Sequence, residues 1–191
     1  FDVVSLANNH ARDFGEVGRE ATMRALDAAG IRHSGRIGDV ASWTVEGVRV
    51  GLVAFAPFGG SWPMLELESA VEEVARLAER HDIVIVSVHA GAEGSAYTRV
   101  PFATELFHGE DRGDVVRFAR AVIDAGADLV LGHGPHVPRA LELYRGRLVA
   151  YSLGNFCTHW GIKISGYNGL APILVAELGR DGSLVGGRIV S

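Results

Sequence analysis

The chain has 191 residues, 48% of them hydrophobic and 21% charged, with a mean hydropathy of +0.17, which suits a globular chain long enough to bury a real core. Its formal net charge is −5 and its pI about 5.9, with Lys and Arg scattered among the acids; no basic face is left to neutralise a run of phosphates, so nucleic acid is not an expected partner. No window reaches the roughly 18–20 uninterrupted apolar residues of a membrane helix, and the single cysteine, Cys157, excludes an internal disulfide and a thiolate zinc cage.

In chain order, Asp2–Leu6 reads as a buried strand that stops at the polar turn Asn8-Asn9-His10. Glu16–Ala29 follows as a helix with Val17, Ala21, Ala25 and Ala28 along its apolar face and Gly30 as its stop. Short strands are predicted at Ile31–Ser34 and Val48–Ala54, and the Gly- and Pro-rich stretch 57–63 as an exposed loop. Ser69 and Glu72 have the spacing of a capping box, opening a helix with Val71, Val74, Ala75 and Ala78 on one side. Ile83–Val88 is a strand apolar on both faces. A polar loop over 91–113 leads to a helix built on Val115, Phe118, Ala119 and Val122, ended by Gly126, and Leu129–Leu131 is another buried strand. Beyond it, Leu141–Tyr144, Leu148–Tyr151, Pro172–Glu177 and Leu184–Val190 are short β segments between turns such as Arg180-Asp181-Gly182. Strand–helix alternation followed by a β-rich end predicts a mixed α/β sandwich, with 1–191 as a single domain.

Each of the three buried strands is followed by histidine. Asn8-Asn9-His10 follows the first, His89 the second and Gly132-His133-Gly134-Pro135-His136 the third. Ligands of open α/β sheets sit at the carboxyl ends of strands, where loops converge. Taken singly, the asparagines suit turn chemistry and His89 suits a hydrogen-bonded histidine at the core edge. Taken together, neutral imidazoles joined by an amide oxygen form the kind of N/O site that accepts Mn, Fe or Zn. Glu93, four residues past His89, either tunes that histidine, touches substrate or is an exposed carboxylate. His159, just after Gly154-Asn155-Phe156, is a substrate candidate. His81 ends a helix, where the dipole favours partial positive charge, and is read as structural. No P-loop, Rossmann glycine fingerprint or G-x-S-x-G elbow is present.

Four stretches carry a resemblance in order along the chain: Asp2-Val-Val-Ser-Leu-Ala-Asn-Asn-His10, Val86-Ser-Val-His-Ala-Gly-Ala-Glu93, Ala125-Gly-Ala-Asp-Leu-Val-Leu-Gly-His-Gly-Pro-His-Val137 and Tyr151-Ser-Leu-Gly-Asn-Phe156. Together they resemble the CapA-type poly-γ-glutamate capsule synthesis proteins of the calcineurin-like metallophosphoesterase superfamily. The resemblance implies a metallophosphoesterase-like α-β-β-α sandwich of mixed sheets flanked by helices, with the domain's N-terminal strands, which carry acidic metal ligands, lying before Phe1. It implies a pair of divalent metals (Mn, Fe or Zn), with Asn9, His89 and His133 on one and His136 on the other, and His10 as general acid. Glu93, Asn155 and His159 are the substrate-binding candidates by their position, not by the resemblance. Two departures stand out: two residues separate His133 from His136 where the superfamily motif has one, and Gly134 occupies a position where CapA-type proteins often carry another histidine.

The function implied is capsule biosynthesis with a metal-dependent phosphoesterase or hydrolase site, acting on a polymer or a phosphorylated small molecule. The alternatives are a non-catalytic accessory subunit of a surface-polymer synthesis and export complex, or a stand-alone phosphatase unrelated to capsules. Membrane-associated or extracytoplasmic placement is implied by the family alone.

Overall fold

Alternation along the strands decides which side of the sheet each residue serves. The computed structural model describes residues 1–157 and 161–190. Its strands are β1 (Val3–Ser5), β2 (Arg32–Ser34), β3 (Ala41–Val45), β4 (Val48–Ala56), β5 (Trp62–Pro63), β6 (Ile83–His89), β7 (Leu106–Phe107), β8 (Glu110–Asp111), β9 (Leu129–His133), β10 (Leu141–Tyr144), β11 (Arg147–Ala150), β12 (Ile173–Leu178) and β13 (Leu184–Val190). Its α-helices are α1 (Gly15–Ala28), α2 (Leu67–Ala78) and α3 (Val115–Asp124).

The central sheet runs β10-β11-β9-β6-β4-β3, with β5 added on β4. Its middle is parallel, β11 to β9 to β6 to β4, while β3 and β10 close the two sides antiparallel. Val84, Val86, Val88 and Val130 point to one face and pack with Val74 and Leu77 of α2 and Phe118 and Val122 of α3 in the main core. Leu52, Ala54 and Ile85 point to the other face and pack with Val3 and Ala7 of the β1 segment in a smaller cluster. β1 and β2 pair in parallel as a second β layer, with α1 against β2 on its outer side. The order of layers is therefore helices, central sheet, second β layer, helix: the mixed α/β arrangement of a metallophosphoesterase-like sandwich. The β12–β13 hairpin shares this second side, with Ala176 and Leu178 facing Val50, Ile83 and Ile85 across a cavity.

Several local expectations are corrected. Helix α1 turns Val17, Ala21, Ala25 and Ala28 outward, Val17 being 75% exposed, and buries Arg19 instead. The cause is specific: Arg19 Nη1 donates to Gly60 O (2.6 Å) and Nε to Glu16 Oε1 (2.7 Å), so polar anchoring overrides a weak Ala-rich stripe. Ser69 caps nothing, since α2 starts at Leu67, which packs on the main core, and the flanking Glu66 makes no side-chain cap. The 57–63 stretch is not a free loop: Trp62 and Pro63 pair with β4 and Ser61 is buried. The polar 91–113 stretch contains the β7–β8 hairpin. Strands β6 and β9 run on to include His89 and His133, which the sequence reading placed in the turns beyond.

Candidate functional site

Because β6 and β9 pair in parallel register, Val88 lies opposite Gly132 and His89 opposite His133. Val84, Val86, Val88 and Val130 belong to the helix-side core, so a period of two sends His89 and His133 to the opposite side, toward the second β layer. Two imidazoles thereby stand as neighbours on adjacent strands at the carboxyl end of the sheet. His136 follows in the turn after β9 with a left-handed backbone (φ 59°).

Burial sets the chemistry of the pair. Burial, reinforced by the repulsion His89 would meet on protonation from Arg112 and from the neighbouring rings, pushes His89 down to about 3, and burial alone pushes His133 down. Both rings are therefore neutral at physiological pH. His89 Nε2 is buried and, among the described residues, has no hydrogen-bond partner, a state that costs about 1–3 kcal/mol unless a ligand fills it. Phe58 packs edge-on against the His89 ring, with centroids 5.9 Å apart, and the Arg112 guanidinium sits 4.9 Å over Phe58.

His136 occupies a polar setting. Its Nδ1 donates to Asn155 Oδ1 (2.7 Å), and its Nε2 lies 3.7 Å from Glu93 Oε2. Arg112 Nη1 donates to Glu93 Oε1 (2.7 Å) while its Nη2 pairs with Glu110 (2.9 Å), which fixes Glu93 in place. Below this, Arg139 and Glu105 form a bidentate, almost fully buried ion pair (2.8 and 2.9 Å), and Arg139 also donates to the carbonyls of Tyr97 and Ala92. His10 is exposed, its Nδ1 2.9 Å from Asp13 Oδ2. His133 also forms one wall of a cavity of about 450 Å³ lined by Leu153, Phe156, Ile173 and Leu174.

The structure thus brings His89, His133 and His136 to one end of the sheet and places Glu93 beside His136, not His89. Asn155 is buried with its amide facing His136 and Asn168, not a cleft. Asn9 follows β1 at half-burial, next to His10. His159 lies outside the described residues. Sequence reading missed Arg112, Glu105, Arg139 and Asn168, which come from stretches without periodicity and meet only through the fold. His81 donates from Nδ1 to Leu77 O (3.0 Å) and meets Ser42 at Nε2 (2.9 Å), a structural placement.

A neutral imidazole with a buried, unpartnered nitrogen is the form in which histidine ligates a divalent cation, and the imidazole and carboxylate donors fit Mn, Fe or Zn in kind. Among the described residues, however, no three His, Cys, Asp or Glu side chains converge closely enough to hold an ion.

A histidine-ended parallel sheet inside a metallophosphoesterase-like sandwich defines the general class. The chain belongs to the bacterial capsule synthesis protein PGA_cap family, which it matches over residues 1–159. It is 29% identical over 177 residues to the capsule biosynthesis protein CapA of Bacillus anthracis, covering 82% of this chain and 40% of that one. It is 31% identical over 176 residues to the PGA biosynthesis protein CapA of Bacillus subtilis (strain 168), covering 82% and 42%. A probable polyglutamine synthesis accessory protein of Mycobacterium tuberculosis is 36% identical over 180 residues, covering 80% and 44%. The chain spans less than half the length of these curated relatives.

Proposed function

We propose that this chain carries the histidine-bearing part of a metal-dependent hydrolase site, of phosphoesterase type, in a protein of capsule poly-glutamate synthesis. The capsule assignment rests on family membership and on the names of the relatives. The hydrolase assignment rests chiefly on one observation: the buried, unpartnered Nε2 of His89, set beside His133 on the next strand.

His89 and His133 would hold one metal, with the Asn9 amide oxygen as a further donor, and His136 would hold the other. When bound, such an ion supplies Lewis acidity and a water that ionises near neutral pH. The protein's own groups do the rest. Asp13 engages His10 Nδ1 and leaves Nε2 facing away from the carboxylate, where the imidazolium form of the ring would pass its Nε2 proton to a leaving oxygen. Arg112 holds Glu93 beside His136, and Phe58 shields the His89 ring from solvent.

The test is turnover of a chromogenic phosphodiester by the full-length protein loaded with Mn, Fe or Zn. His10→Ala is expected to lower the rate by about 10²–10⁴-fold while bound metal is retained; wild-type turnover in that variant removes the general-acid role.

A second reading is a non-catalytic accessory subunit of a polymer synthesis and export complex. It is favoured by the lack of a converging triad among the described residues and by the word accessory in a relative's name. A metal-loaded wild-type protein without turnover selects it. A membrane-associated or extracytoplasmic site of action belongs to both readings and rests on the family; among the described residues no helix is long and apolar enough to cross a membrane.

A further inference from the structure

His136 is held in its left-handed conformation (φ 59°) by two asparagines remote in sequence. Its carbonyl accepts from Asn168 Nδ2 (3.0 Å) and Asn155 Nδ2 (3.3 Å), and Asn155 Nδ2 also donates to Asn168 O (3.0 Å). Both partners of the Asn155 amide nitrogen are carbonyl oxygens, which only accept. The amide therefore has one satisfied orientation, and its Oδ1 must face His136 Nδ1 at 2.7 Å. An amide oxygen cannot donate, so the ring proton sits on Nδ1.

We propose that Asn155, seated by Asn168, is a positioning residue that locks His136 in its Nδ1–H tautomer and presents the Nε2 lone pair toward Glu93. Both asparagines are buried, at 8% and 5% exposure, so neither is free to contact substrate from that position. The Nε2 to Oε2 separation of 3.7 Å is too long for a hydrogen bond, and a lone pair facing a carboxylate repels, a repulsion that a proton on Nε2 or a cation between the two groups relieves. With Glu93 clamped by Arg112, imidazole and carboxylate stand as two donors for one divalent ion, a use that rests on the function proposed above; the tautomer itself does not.

The experiment is nitrogen-15 NMR of the histidine rings in metal-stripped, full-length protein at about pH 8.5, two units above the ordinary histidine pKa of about 6.5. His136 is assigned by the signal lost in His136→Gln. Wild type is expected to show the Nδ1–H tautomer. Asn155→Leu, which removes the acceptor, should shift the ring to the Nε2–H form that free imidazole side chains prefer. A Nε2–H ring in wild type overturns the proposal, and that reading survives even if Asn155→Leu does not fold. An unchanged Nδ1–H ring in folded Asn155→Leu also overturns it, since a merely structural asparagine would alter stability and leave the tautomer alone. In a second arm, zinc affinity in Asn155→Leu should fall about 10–100-fold. Wild type with Nδ1–H but no zinc binding would count against the metal function and leave the tautomer lock standing.

Discussion

His89 carries the clearest conflict between sequence and environment, because a polar ring closes a strand whose other residues belong to the core. Its pKa near 3 lies below the ordinary value of about 6.5, so between those limits the unfolded chain binds a proton that the folded chain refuses. The sign follows: in the metal-free protein this contribution to stability is intact above about pH 6.5 and declines as pH falls toward about 3. His89→Phe should flatten the decline and lower the acid midpoint of unfolding followed by circular dichroism; an unchanged midpoint contradicts a buried neutral ring. Gly134 makes a second point at this scale. Its φ is 114°, and a Cβ there would lie 2.8 Å from Ala90 O and 3.2 Å from the His89 ring. Gly134→His, which would install the residue common in CapA-type proteins, should therefore destabilise by about 1–3 kcal/mol in a thermal melt instead of adding a ligand. His89, His133 and His136 were legible because polar residues interrupt apolar runs. Asn168 was not, for nothing local distinguishes an asparagine that holds a carbonyl 32 positions away.

Elements were legible where apolar length decided them. β6, β9 and α3 bury nearly every inward position, so pattern and packing agree. Helix α1 was legible as a helix, but its facing was not, because four small or β-branched apolar positions carry less than one arginine that bonds to Gly60 and Glu16. Arg19→Ala should cost about 1.5–3 kcal/mol in chemical denaturation, whereas Val17→Ser should stay within about 0.5 kcal/mol. The reverse ranking would restore the Ala-rich face as the buried one. The two-residue strands β5, β7 and β8 escaped because a pair of residues has no period to read; their partners are set by the loops around them.

At the scale of the whole molecule, the site depends on long excursions being tied to the sheet. Arg139, following the β9 turn, and Glu105, within the 91–113 excursion, meet as a pair with 0% and 5% side-chain exposure, and Glu105 also accepts from Ala92 N next to Glu93. Removing one partner leaves a buried charge without compensation. Glu105→Ala should cost about 3–5 kcal/mol, and the loss should be larger than that for Arg49→Ala at the exposed Asp82 pair. Equal losses would mean that the buried pair does not anchor the excursion. The same tie holds the excursion that carries Glu93 beside His136.

The proposed site is tested most directly by metal binding. The full-length protein and a His89→Ala/His133→Ala variant would be dialysed against Mn, Fe and Zn in turn, freed of excess, and their bound metal measured by mass spectrometry, with folding checked by circular dichroism. Stoichiometric metal in wild type and its loss from a folded variant are expected. Equal metal in both proteins, or none in wild type with any of the three ions, contradicts a metal centre built on these histidines.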